Sequence, residues 1–197
     1  MRLVRLFVLP LLVGAAAFAQ TTPTPTRPGE DAGETTWTVR YANCESGFYV
    51  LLPAGVLGHA AKATGPNQGF AVSPAAPAST AAFSASESQR FIEVVSYYDL
   101  EDHGESTSAT VDYYLSLGAL GGEKNFVTLG KQSYRPAGLS ARREEVRWLE
   151  NSVAIRRDRI IAFRSGAGIL YQLTLQSPEK TFSADEVLFN RIVGAFT

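Results

Sequence analysis

The sequence predicts an α+β domain: an antiparallel sheet with helices packed on its faces, an α/β/α sandwich, preceded by a signal peptide and a disordered tether. Three observations carry this. Strand-forming runs separated by short turns fill the stretch from Phe126 to Gln176. An apolar stripe at helical spacing closes the chain, with Leu188, Phe189, Ile192, Val193 and Phe196 on one side. The first nineteen residues pass from basic to apolar to small, unlike anything after them.

At the N-terminus, Arg2 and Arg5 make a basic start and Leu6 to Phe18 an apolar run. Ala17-Phe18-Ala19 then sets small residues where a signal peptidase reads. The pattern predicts an export signal over residues 1–19, cleaved after Ala19, and a periplasmic or extracellular destination. A resident membrane helix needs about 20 apolar residues. The run is shorter and no later segment approaches it, so no stable membrane insertion is expected after cleavage. No Cys follows the cleavage point, which argues against a lipid anchor, and the simple signal reads as bacterial export. Residues 20–36 are rich in Thr and Pro and hold no large apolar side chain. They cannot offset the entropy of ordering and are expected to form a linker. A single domain is expected over 37–197.

Within it, Trp37 to Tyr41 predicts a short strand, and Gly47 to Pro53 a β-rich run closed by proline. Gly69 to Val72 is a weaker strand, and the Ala/Pro/Ser run from Ser73 to Ser88 a loop, since Pro74 and Pro77 break helices. Phe91 to Tyr98 reads as a strand covered on both faces. Thr110 to Leu117 predicts a helix, with Val111, Tyr114 and Leu115 on one side and Gly118 as its stop. Phe126–Gln132, Leu139–Leu149, Val153–Arg164 and Ile169–Gln176 predict strands, the last three joined by short turns and therefore antiparallel neighbours. Ser183 with Glu186 three residues on has the form of a capping box opening the last helix. Burying the five side chains of its stripe contributes roughly 10 kcal/mol gross, and that gain requires a sheet to lie on.

This order of elements resembles the family of the extrinsic oxygen-evolving-complex protein of photosystem II (PsbP-like) and the related Ran-binding release factors. The likeness rests on Gly47–Pro53, on Gly168-Ile169-Leu170-Tyr171-Gln172-Leu173-Thr174-Leu175, on the Phe182-Ser183-Ala184-Asp185 start and on the Phe189, Ile192, Val193, Phe196 helix. It covers residues 45–197, most closely the last thirty. These are core-packing patterns. Ala54-Gly55-Val56 stands where the family commonly has an aromatic, and no metal or partner site carries over. The resemblance implies an α/β/α sandwich and an accessory or binding role in place of catalysis.

Composition narrows the function classes. The formal net charge is −1, so no nucleic-acid partner is expected. Residues 131–164 nevertheless hold nine Lys/Arg against four Asp/Glu. Seven of these are arginines on two strands that should pair, and neighbouring Glu144, Glu145, Glu150 and Asp158 offer them ion-pair partners. The plain reading is a salt-laced sheet face. The functional one is a docking patch for a protein or an anionic envelope component, with Arg143, Arg147, Arg156 and Arg164 as partner-binding residues. Among the aromatics Tyr97, Tyr98, Tyr113, Tyr114 and Trp148, at most one of Tyr97 and Tyr98 can enter the core, because strand neighbours face opposite sides.

The remaining chemistry is thin. Cys44 is the only cysteine, so no internal disulfide forms, and it reads as a small buried thiol. A secreted hydrolase would have to bring His59 or His103 beside Cys44, a serine or an acid cluster. Asp99 to Glu105 begins like a calcium loop but has Thr110 at the twelfth position, where a bidentate Glu is needed. Gly118 to Lys124 lacks the Gly-Lys-Ser/Thr of a phosphate loop. No catalytic, metal or cofactor residues are expected. The leading expectation is an exported, non-catalytic binding module. The alternatives are that hydrolase and a carrier with an apolar pocket between sheet and helix.

Overall fold

The computed structural model describes residues 36–61, 69–81, 83–98, 107–120 and 126–197. The expected signal, nearly all of the expected linker, His103 and the acidic run 99–105 lie outside the described residues. The strands are β1 (Thr36–Trp37), β2 (Arg40–Asn43), β3 (Phe48–Leu51), β4 (Gly58–Ala60), β5 (Gly69–Val72), β6 (Phe91–Tyr98), β7 (Val127–Tyr134), β8 (Ala141–Glu150), β9 (Val153–Arg164) and β10 (Ile169–Pro178). The helices are α1 (Thr107–Leu120) and α2 (Glu179–Gly194). Eight strands form one antiparallel sheet in the order β1-β4-β5-β6-β10-β9-β8-β7, and β2 pairs with β3 apart from it.

Local chemistry sets the meander β8–β9–β10. Asn151 and Ser152 take φ of 48° and 68°, the left-handed pair that a two-residue hairpin requires, and Glu150 sits opposite Val153. Gly168, at φ 61°, turns β9 into β10. The long strands β6, β9 and β10 occupy the centre, so side chains from both of their faces are buried.

The two faces are covered differently. On the first, α2 lays Phe182, Phe189, Ile192 and Val193 over Ile160, Leu173 and Leu175. The β2–β3 hairpin continues that cover with Tyr41, Phe48 and Val50. The C-terminus ties the two covers together. Phe196 stacks on Phe48 with ring centroids 5.4 Å apart, and Tyr49 and Thr197 exchange backbone hydrogen bonds of 2.9 and 3.0 Å. On the second face, α1 packs Val111 and Leu115 on Ile161 and Leu170, and Trp148, Val146 and Ile155 form a separate cluster.

Several expectations change, beginning with the Trp37–Tyr41 strand, which is divided between β1 and β2. The final helix begins at Glu179, with no side-chain cap, so the Ser183–Glu186 capping box does not form. β10 runs on through Pro178, opposite Ile155, and the chain turns straight from strand into helix, which brings Phe182 into the buried stripe. α1 starts earlier and passes through Gly118 to Leu120. β4 carries no strand-forming pattern and exists only because β1 and β5 pair with it on either side. Cys44 is exposed, because it lies in the turn after β2, where the Ser46 N–H donates to Asn43 Oδ1 at 2.8 Å.

β7 is the exposed edge strand, interrupted by a bulge between Thr128 and Gly130 and carrying Lys131, both of which discourage edge pairing. At the opposite end of the sheet, Gly69 lies against its neighbour so closely that a Cβ would strike the Val94 carbonyl oxygen and come within 2.7 Å of Val95 Cα. Gly69→Ala is therefore expected to cost about 3 kcal/mol. Gly194→Ala, with nothing within 4 Å of its Cβ, should gain about 0.5 kcal/mol. Urea denaturation of the two variants measures the contrast.

Candidate functional site

The meander carries seven of the chain's fourteen arginines. Strand alternation divides its arginines between the faces: Arg143, Arg147, Arg156 and Arg164 share the α2 face, and Arg142, Arg157 and Arg159 share the α1 face.

On the α2 face each guanidinium has a partner. Arg143 Nε lies 2.9 Å from both carboxylate oxygens of Asp158, and its Nη2 also contacts Asp158. Nη2 reaches Glu186 Oε1 at 3.3 Å and Asn190 Oδ1 at 3.2 Å on α2. Arg147 and Arg156 stand directly opposite each other, an unfavourable like-charge pair unless each finds an acid. Arg156 does so diagonally, donating from Nε to Glu145 Oε1 at 2.8 Å, and Arg147 Nη1 turns to Glu179 Oε1 on α2 at 3.3 Å. Arg164 Nη1 donates to the Gly47 carbonyl at 3.2 Å.

These side chains also roof the core. The Arg156 guanidinium lies 4.2 Å from the Phe182 ring centroid, Arg143 5.8 Å from Phe189 and Arg164 5.4 Å from Tyr171. Their stems and planes close the rim where α2 leaves the sheet. Burial pushes the Asp158 carboxyl up, against the pull of Arg143 and with help from Glu145 and Glu186. A cleft of about 300 Å³ opens beside this pair, walled by Lys131, Gln132 and Glu145.

Arg147 differs from its neighbours. Its side chain is 46% exposed, against 15% for Arg143 and 24% for Arg156. Val127 stands opposite it on β7, 53% exposed, and Leu149 two residues along β8, 72% exposed. Leu129 in the bulge and Val153 at the hairpin are exposed as well. The tip of the meander thus presents a guanidinium among apolar side chains. An exposed Leu or Val carries no legible sequence signal, so only the fold shows this grouping.

The histidine chemistry is not assembled among the described residues. His59 is buried on β4, on the α1 face, 5.9 Å ring to ring from Phe83. Cys44 belongs to the β2–β3 hairpin that covers the other face, so the sheet stands between them. No group of three His, Cys, Asp or Glu able to hold a metal occurs among the described residues. No helix among them is long and apolar enough to cross a membrane. Tyr97 is half-buried beside α1, and Tyr98 faces solvent.

Asp158→Ala leaves the Arg143 guanidinium beside the core with only the longer contacts to Glu186 and Asn190. It should cost about 3 kcal/mol in urea denaturation. Arg147→Ala breaks an exposed pair and should cost under about 0.5 kcal/mol by the same measurement.

No protein-family model matches the chain, and no curated protein matches it in sequence. Solved structures do share its fold. The cyanobacterial PsbP of Synechocystis sp. PCC 6803 superposes with a TM-score of 0.52 at 17% identity, covering 83% of this chain and 92% of its own. LpqN of Mycobacterium tuberculosis, involved in cell envelope biogenesis, gives 0.50 at 13% identity, with coverage of 77% and 82%. The Ran-binding protein Mog1p of Saccharomyces cerevisiae gives 0.48 at 11% identity, with coverage of 76% and 89%. The chain takes a PsbP-like fold, as the resemblance implied.

Proposed function

We propose that the chain is an exported, non-catalytic binding module that docks a protein partner through the tip of its meander. Residues 1–19 act as the export signal, cleaved after Ala19, and the expected linker 20–36, whose last residue Thr36 is taken into β1, tethers the domain. The observation that carries the reading is the exposed group of Val127, Arg147 and Leu149 on one face at the sheet's edge. Apolar side chains around an arginine are what protein interfaces favour at their centres. Arg143, Arg156 and Arg164 hold the surface in shape and lend it polar contacts at the rim. The anionic-envelope alternative has less support. Asp158, Glu145, Glu179 and Glu186 balance Arg143, Arg147, Arg156 and Arg164, so no cationic excess is left to hold a polyanion. Export draws support from the sequence pattern and from the shared fold of LpqN, an envelope-biogenesis protein.

The test is a photo-crosslinking side chain placed at Leu149 in the producing cell, with a second at Ser116 on α1 as reference. A partner captured at Leu149, absent at Ser116 and lost on adding Arg147→Glu, is the expected result. In purified form Arg147→Glu should weaken that partner's binding by about tenfold or more while leaving the melting temperature within a few degrees. Equal capture at both probes, or capture indifferent to Arg147→Glu, would refute the proposal.

A further inference from the structure

The α1 face of the sheet holds a second feature, which the arginine network does not use. Strand register places His59, Ala71, Glu93, Thr174, Arg159 and Glu144 in one row across six strands. One end of the row is internally satisfied. Arg159 Nη2 donates to the Leu115 carbonyl at 2.5 Å and to Glu144 Oε2 at 3.4 Å, and Lys131 Nζ meets Glu144 Oε1 at 3.1 Å. The middle is not. Thr174, 3% exposed, has a buried hydroxyl with no hydrogen-bond partner among the described residues. Glu93, directly opposite it, accepts no hydrogen bond among them either, and burial alone pushes its carboxyl up. The two differ in access: the Thr174 hydroxyl is sealed from solvent, whereas the Glu93 carboxylate is only partly buried.

Glu93 is not sealed in. It forms part of the wall of an open cleft of about 410 Å³ between the 3-10 turn at Ala85–Glu87 and strands β6, β9 and β10. The other side chains of this cleft are already committed. Arg157 donates from Nε and Nη2 to Gln176 Oε1 and stacks 4.8 Å over Trp148. Glu150 Oε2 accepts from Gln89 Nε2 at 3.0 Å. Phe91, on the same side of β6 as Glu93, supplies an apolar wall. Glu87, Glu93 and Glu150 outnumber Arg157, so the cleft favours a cation over an anion.

We propose that this cleft binds a protonated primary amine on an aliphatic stem, the ammonium group donating to Glu93 and the stem lying along Phe91. A charged donor suits a partly buried carboxylate best, because the two compensate each other's desolvation and the hydrogen bond is charge-assisted. The amine comes either from a free polyamine or from a lysine side chain of another protein. The site lies on the face opposite the Arg147 surface, and its success or failure is read independently of that surface.

Binding should depend on pH with a definite sign. The titratable and charged groups around Glu93 among the described residues are Tyr97 on its own strand, Arg157 and Arg159 on β9, Glu150 on β8, Glu87 on the 3-10 turn and His59 along the row. An ammonium favours the ionised carboxylate, so affinity is full above the raised pKa of Glu93 and falls as pH drops through it. The same shift predicts stability. A carboxyl whose folded pKa is raised contributes stability below its unfolded value, and that stability is lost as pH rises through the folded one. Glu93→Gln should therefore raise the melting temperature at pH 8 and not at pH 4, which also reports that the variant folds.

The experiment is calorimetric titration of the full chain at pH 8 with two probes, spermidine and the tripeptide acetyl-Gly-Lys-Gly-amide. Binding of spermidine alone assigns a free polyamine, and binding of the peptide assigns a partner's lysine. In either case Glu93→Gln, or wild type at pH 4, should bind at least about tenfold more weakly. Absence of binding by both probes overturns the proposal. So does binding that Glu93→Gln leaves unchanged, or binding that is indifferent to pH.

Discussion

Everything in this fold hangs on the burial of one side of α2 against the sheet. The stripe contains an acid. Asp185 falls between Phe182 and Phe189 on the buried side and is 3% exposed. An unpaired carboxylate there would be ruinous. Arg90, just before β6, supplies the remedy: Nε and Nη2 donate to its two oxygens at 2.8 and 2.6 Å, and Ser177 Oγ donates at 2.6 Å. The apolar contacts give the helix its attraction to the sheet, and this directional triple contact sets where along the sheet it rests. Once it is set, Phe196 arrives over Phe48, the C-terminus pairs with Tyr49, and the β2–β3 hairpin has a body to close upon.

The arginines of the meander follow from the same constraint. α2 is narrower than the sheet, so its aromatic residues would meet water along their outer edge. Arg143 and Arg156 cover Phe189 and Phe182 with guanidinium planes that carboxylates on the facing strand and on α2 hold in place, and Arg164, held by the Gly47 carbonyl, covers Tyr171 of β10. Lysine would not substitute well, having neither the plane nor the fork. Charge on this face is therefore part of how the core is sealed, and the seal ends near Arg147, where Val127 and Leu149 are exposed beside it.

Cyanobacterial PsbP and LpqN share the fold. Neither the exposed tip nor the cleft beside Glu93 is among the core-packing runs that carried the resemblance. Function on such a scaffold resides in what its edges and rims present, and the two surfaces argued for here lie at the tip and on the α1 face.

Local chemistry made much of the fold legible in advance. The alternation in β8 and β9, the Asn151-Ser152 and Gly168 turns, the long β6 and the terminal stripe each depend on a few neighbouring residues, and a linear reading recovers them. The division of the seven arginines between faces was implicit in alternation too. What escaped was set by residues distant in sequence. β4 is a strand because two others flank it, and α2 starts at Glu179 because β10 delivers the chain there. Cys44 faces water because its turn lies outside the hairpin's packed side. Asp185 sits in an apolar stripe because Arg90, ninety-five positions away, pays for it. The exposed tip and Glu93, which accepts no hydrogen bond among the described residues, belong to this second kind: no spacing announces them, since they are properties of the assembled molecule. The sequence by itself determined most of the elements, their order and the apolar stripes available for burial; the tertiary structure alone decided which polar groups were satisfied, because that depends on distances between segments the chain does not join.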